Sequence, residues 1–202
     1  MKNYIAKIAG IALCVLMYCS ISTALTSPAR TYNVQVLIFS HITPATIALQ
    51  RWPVITENLP AQTAVTTSSP ATALQSEKNA LLRDPNYKIL VDESWIESWS
   101  GDQSTVNIPV VSSNGKLNGA IAITLGHYFD VNANLLLTEP TNLLQKLDTN
   151  NYFSKWDQSN FTFQLLQHRR MRSDELNYFE HPVFGMLIKI LPVNTASQID
   201  QS

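Results

Sequence analysis

Between Arg169 and Pro192 the chain reads R-R-M-R-S-D-E-L-N-Y-F-E-H-P-V-F-G-M-L-I-K-I-L-P, which sets a basic cluster and three aromatic residues beside an apolar run. A guanidinium is a planar fork of donors that matches a carboxylate or a phosphate. A tyrosine or phenylalanine ring offers a flat apolar face to a sugar or to a partner side chain. If the chain is extended from Phe161 onward, His168, Arg170 and Arg172 project from one face and Arg169 from the other. Arg169, Arg170, Arg172, Tyr178, Phe179 and His181 are therefore the candidate ligand-binding residues. A competing reading pairs the arginines with Asp174, Glu175 and Glu180 in an exposed network while the aromatics complete a core. Both readings stand for the arginines; for Phe184 the core reading is favoured.

Other chemistry finds little support. His41, His127, His168 and His181 are far apart in sequence, with no pair at helical i, i+4 spacing and no H-E-x-x-H, so neither a metal nor a cofactor is expected. G-x-S-x-G is absent, and Gly101, Gly115, Gly119, Gly126 and Gly185 are too dispersed to cradle a phosphate. The adjacent carboxylates Asp92-Glu93 and Asp174-Glu175 would point apart on a strand, so adjacency does not make them an acid-base pair. No enzymatic activity is expected.

These side chains need a sheet to hold them. Tyr32 to Phe39, Y-N-V-Q-V-L-I-F, is rich in β-forming residues and apolar at most positions, which predicts a strand central in its sheet. Tyr87 to Val91 predicts another, leading into Trp95 and Trp99. Those two share a side whether the segment is helical or extended, and both are expected in the core. Asn114-Gly115, between Val106–Val111 and Leu117–Leu125, is a strong hairpin signal. From Gly119 to Leu137 the odd positions stay apolar without a change of phase, which requires one long strand or a hairpin with an odd-numbered loop. Phe161 to Met171 alternates with Phe161, Phe163 and Leu165 on one face, and Met186 to Leu191 supplies a closing strand. One amphipathic helix is predicted over about 70–83, with Ser69 as N-cap and Pro70 at its first position, and a short one between Pro140 and Leu147. The pattern is an α+β domain on a mainly antiparallel sheet, spanning 30–193 with a mobile Thr/Ser/Pro-rich loop at about 54–69 and a flexible tail from 194.

The amino-terminal segment 1–24 has Lys2 and Lys7 ahead of an apolar run, with Ser22 and Ala24 as a small-residue cleavage signal. It is read as a secretory signal peptide, which places the processed chain in the periplasm with no membrane anchor. A second cut after Ala29 is an alternative. Cys14 and Cys19 both lie in this segment, so the processed chain has no disulfide and no cysteine-ligated zinc, and neither has the small preceding residue of a lipid attachment signal. Cleavage removes two of the 14 basic residues and none of the 15 acidic ones, which moves the formal charge from −1 to −3. Nothing in that balance calls for nucleic acid or an anionic membrane as partner.

Four blocks, in order, resemble the CsiV-type peptidoglycan-binding family of proteobacterial periplasmic proteins: Y-N-V-Q-V-L-I-F followed by Trp52-Pro53; Y-K-I-L-V-D-E-S-W; L-N-G-A-I-A-I-T-L-G-H-Y-F-D-V-N-A-N-L; and R-R-M-R-S-D-E-L-N-Y-F-E-H-P-V-F-G. The resemblance implies a non-enzymatic accessory that binds peptidoglycan and supports wall synthesis, with a penicillin-binding synthase and its lipoprotein activator as implied protein partners. His127 stands where such proteins commonly carry Arg before Tyr128, and Asp130 where they carry His. On that reading the arginines meet stem-peptide carboxylates and the aromatics stack on sugar. The alternatives are a protein-interaction adaptor of the cell envelope with no glycan contact and, least favoured, a wall hydrolase using carboxylates.

Overall fold

A computed structural model describes residues 29–55 and 69–193. The expected leader at 1–24, the tail from 194 and all but the ends of the 54–69 loop lie outside the described residues. The first strand, β1 (Arg30–His41), is buried from Val34 to Ser40. Val34, Val36 and Ile38 point into the main core, while Leu37 points the other way onto Ala71 and Leu74. A strand covered on both faces has no use for polar alternation, which explains its apolar run.

β1 is a central strand. It pairs antiparallel with β2 (Tyr87–Trp99) on one side and β8 (Phe184–Pro192) on the other, and β7 (Asn177–His181) completes the sheet in the order β2-β1-β8-β7. The second sheet is an antiparallel meander of β3 (Ser104–Val111), β4 (Leu117–Leu125), β5 (Phe129–Pro140) and β6 (Asn160–Met171). The inward residues of both sheets share one core, joined by Trp95 and Trp99 as expected. Trp99 Nε1 donates to the Ile123 carbonyl at 3.0 Å, so its buried polar atom is partnered across the two sheets.

Sheet edges attract foreign strands unless they are covered. Where the chain crosses from β6 to β7, the Gln167 side chain donates to the Glu180 carbonyl at 2.7 Å and accepts from the Glu180 N–H at 3.2 Å, an amide standing in for a ladder residue. On the opposite edge, β3 carries Pro109, which suits a strand that need not donate outward.

The Asn114-Gly115 turn forms as expected, with Gly115 at φ 69° and Asn114 Oδ1 accepting from the Lys116 N–H at 3.0 Å. The unbroken phase from Gly119 to Leu137 resolves into a hairpin: Leu125 pairs with Phe129 across the odd loop Gly126-His127-Tyr128. The Pro140–Leu147 helix is α3 (Thr141–Leu147).

The helix over about 70–83 is shorter than expected: a 3-10 turn (Thr72–Leu74) leads into α2 (Gln75–Leu81). Ser69 does not cap it, because its backbone bridges to Ser94 on the edge of β2. The first N–H groups are satisfied from the sheet instead, Ala71 by Asp92 Oδ1 at 3.0 Å and Ala73 by Gln35 Oε1 at 2.6 Å. An additional one-turn helix, α1 (Pro44–Ile47), is opened by a Thr43–Thr46 capping box. Among the described residues no helix is long and apolar enough to cross a membrane.

Candidate functional site

Strand β6 aims Phe161, Phe163 and Leu165 into the core and its intervening residues outward. Its register against β5 places His168 opposite Asn132 and Arg170 opposite Asp130. Beyond Asp130, the odd β4–β5 loop lifts Tyr128 beside the end of β6. The Arg170 guanidinium lies 4.4 Å from the centre of the Tyr128 ring, and that of Arg172 lies 5.6 Å from it. The neighbouring Tyr128 side chain, together with the charge of Glu175, holds the Arg172 pKa above the usual arginine value. Both forks lie against a single ring.

This ring stands at the mouth of a cavity of about 370 Å³ that opens at one end of the two sheets, lined by Arg30, Tyr32, His127, Tyr128, Phe129 and Arg172 among others. Its aromatic lining includes Tyr32 and Phe129, which meet edge-on at 4.9 Å, with Trp99 buried behind Tyr32 at 5.8 Å. Two cations line it as well, Arg172 and Arg30, the latter held by Asp102 at 2.9 Å. An aromatic lining flanked by two guanidinium groups suits a ligand that joins an apolar or sugar surface to a carboxylate.

Of the six sequence-predicted residues, Arg170 and Arg172 come together here. Arg169 faces away and lies 5.6 Å over the ring of Phe179, at the seam between β6 and β7. Phe179 is wholly buried and belongs to the core. Tyr178 projects from the outer face of the other sheet, stacked on Phe39. His181 sits among Phe184, Trp52 and Phe163, at 4.8, 5.6 and 6.0 Å, and accepts from the Val183 N–H through Nδ1 at 3.3 Å. Burial lowers its pKa from 6.5 to about 4, so it is a neutral ring at neutral pH.

Of the acidic neighbours, one is engaged elsewhere and one stays beside the arginines. Asp174 pairs with Lys189 at 2.9 Å, and Glu175 accepts the backbone N–H of Arg172 at 3.0 Å. Phe184 is buried, as the core reading expected. Sequence reasoning passed over Tyr128, Tyr32 and Arg30 as site residues. The signal for Tyr128 was the odd loop itself, which lifts it out of the strand alternation; the other two come from a strand remote in sequence.

The family model described as peptidoglycan-binding protein, CsiV, matches residues 55–193. The chain belongs to the CsiV family. No curated protein and no solved structure matches it. The CsiV match takes in β2 to β8 and so includes Tyr128, Arg170 and Arg172, whereas β1, with Arg30 and Tyr32, precedes it. CsiV proteins are described as binding proteins, and a peptidoglycan-binding role for this chain follows at that level.

Proposed function

We propose that this protein is a non-catalytic periplasmic accessory that holds peptidoglycan through the arginine-bearing end of its second sheet. The observation that carries the reading is the stacking of Arg170 and Arg172 on Tyr128, a ring that together with Tyr32 and Phe129 lines a cavity. Stem peptides bring carboxylates, which guanidinium forks bind in two-point fashion. The wall's insoluble, repeating polymer multiplies a modest single contact by avidity. A role in wall synthesis, by bringing a penicillin-binding synthase or its lipoprotein activator to the polymer, extends this reading.

The test is a pull-down of the purified protein with isolated sacculi. Arg170→Ala combined with Arg172→Ala is expected to weaken binding about tenfold or more, since charge-assisted hydrogen bonds contribute about 1.5–3 kcal/mol each. Unchanged binding by the double variant refutes the site, and absence of binding by the wild-type protein refutes the function. An adaptor without glycan contact is the second reading. Crosslinking in cells that captures protein while sacculi stay unbound would select it.

A further inference from the structure

The outer face of the first sheet carries a ribbon of four rings in contact. Tyr178 of β7 lies nearly parallel to Phe39 of β1, with ring centres 6.1 Å apart and planes 12° from parallel. Tyr87 of β2 meets Phe39 edge-on at 5.6 Å, and His41 stacks face to face on Tyr87 at 4.3 Å. Gly185 permits this arrangement. A Cβ on it would stand 2.6 Å from Cε2 of Tyr178 and 3.0 Å from Cζ of Phe39, so only glycine on β8 lets the tyrosine ring lie over the backbone toward Phe39.

The ribbon begins where the helical cover ends. Leu37, Ile89 and Leu187 on the same face are packed beneath Ala71, Leu74 and Leu81. Phe39 is buried as a floor, whereas Tyr178 is 38 % exposed and Tyr87 and His41 are partly exposed. Glu180 shares this face, opposite Gly185, and is exposed. Burial, the charge of Glu180 and the neighbouring Tyr87 hold the Tyr178 phenol above its ordinary value, so it remains a hydrogen-bond donor.

We propose that this ribbon is a saccharide-stacking site, distinct from the arginine end, that takes an uncharged sugar ring of the glycan strand. Ring faces meet the C–H face of a sugar, while phenols and a carboxylate hydrogen-bond its hydroxyls. The carboxylate that accompanies the rings disfavours a stem peptide, whose carboxylates carry the same sign. The arginine cluster belongs to the other sheet, so the molecule has one contact for the glycan and one for the peptide. Two linked contacts on one polymer raise retention through effective concentration. The proposal rests on the peptidoglycan reading and divides it between two surfaces.

The test uses calorimetric titration of the purified protein with a short neutral oligomer of N-acetylglucosamine, alongside the sacculus pull-down. Wild-type protein is expected to bind the oligomer. Tyr178→Ala and Tyr87→Ala should each weaken it about tenfold, and Gly185→Ala, which displaces the Tyr178 ring without removing it, should weaken it in the same direction. A wild-type protein that retains sacculi but ignores the oligomer overturns the ribbon site and leaves the arginine reading standing. Ring variants that bind the oligomer as wild type also overturn it, as does capture of a protein from position 178 without sugar binding. Failure to bind sacculi at all removes the parent reading instead.

Discussion

His181 makes the stability of this protein depend on pH in a window set by burial. Its folded pKa is about 4 against 6.5 for the free side chain, because Trp52, Phe163 and Phe184 displace the water that would solvate an imidazolium. Between those two values the unfolded chain binds a proton that the folded chain does not. Stability contributed by the neutral ring is therefore full above 6.5 and is lost as pH falls through 4. One pKa unit corresponds to about 1.4 kcal/mol, so moving from pH 8 to pH 5 would cost about 2 kcal/mol for a fully enclosed group. His181 retains some solvent contact, and screening reduces that to about 1 kcal/mol. Urea unfolding at the two pH values, on wild type and on His181→Phe, isolates the effect, because other titrating groups are common to both. The wild type should lose about 1 kcal/mol more than the variant on acidification. Equal losses would refute the idea that this ring is held neutral by its burial.

Two further outcomes follow from close packing and from a buried charge. In Gly119→Ala the new Cβ would lie 2.2 Å from the Asn134 carbonyl oxygen and 2.8 Å from Leu135 Cα, both backbone atoms of β5, so the variant should be destabilised by about 3 kcal/mol or fail to fold, as judged by thermal melting. Lys116→Met removes the 2.7 Å partner of Glu139, a carboxylate on a residue only 5 % exposed, and should cost about 3 kcal/mol at neutral pH. Glu139→Gln added to it should recover part of that loss, and a double variant no more stable than the single one would count against the pairing.

Much of the sheet was legible because alternation is written locally. The apolar phase from Gly119 to Leu137 demanded an odd loop if the chain turned, and Gly126-His127-Tyr128 is that loop. The unbroken burial of β1 was equally plain from its composition. The helix start was misplaced because its caps, Asp92 and Gln35, reach it from the sheet. The clustering of the candidate site was misjudged for a related reason. Tyr178 and Phe179 are neighbours in sequence, yet on a strand they face opposite sides, one outward onto Phe39 and the other into the core. Strand β7 is short and was not among the expected strands, so that separation was not foreseen.

The order of side chains along each strand follows from a two-residue period of the backbone, and it determined which faces were apolar and that Arg170 and Arg172 would share a side. Which ring those arginines would meet depended on the register of β6 against β5 and on the lift of Tyr128 from its loop, both long-range matters. The same holds for the second ribbon, where Gly185 and Phe39 are brought side by side by strand pairing across most of the chain. Alternation is imposed by the geometry of a single residue, whereas pairing is settled by the burial of both sheets at once, and only the folded molecule solves that packing problem.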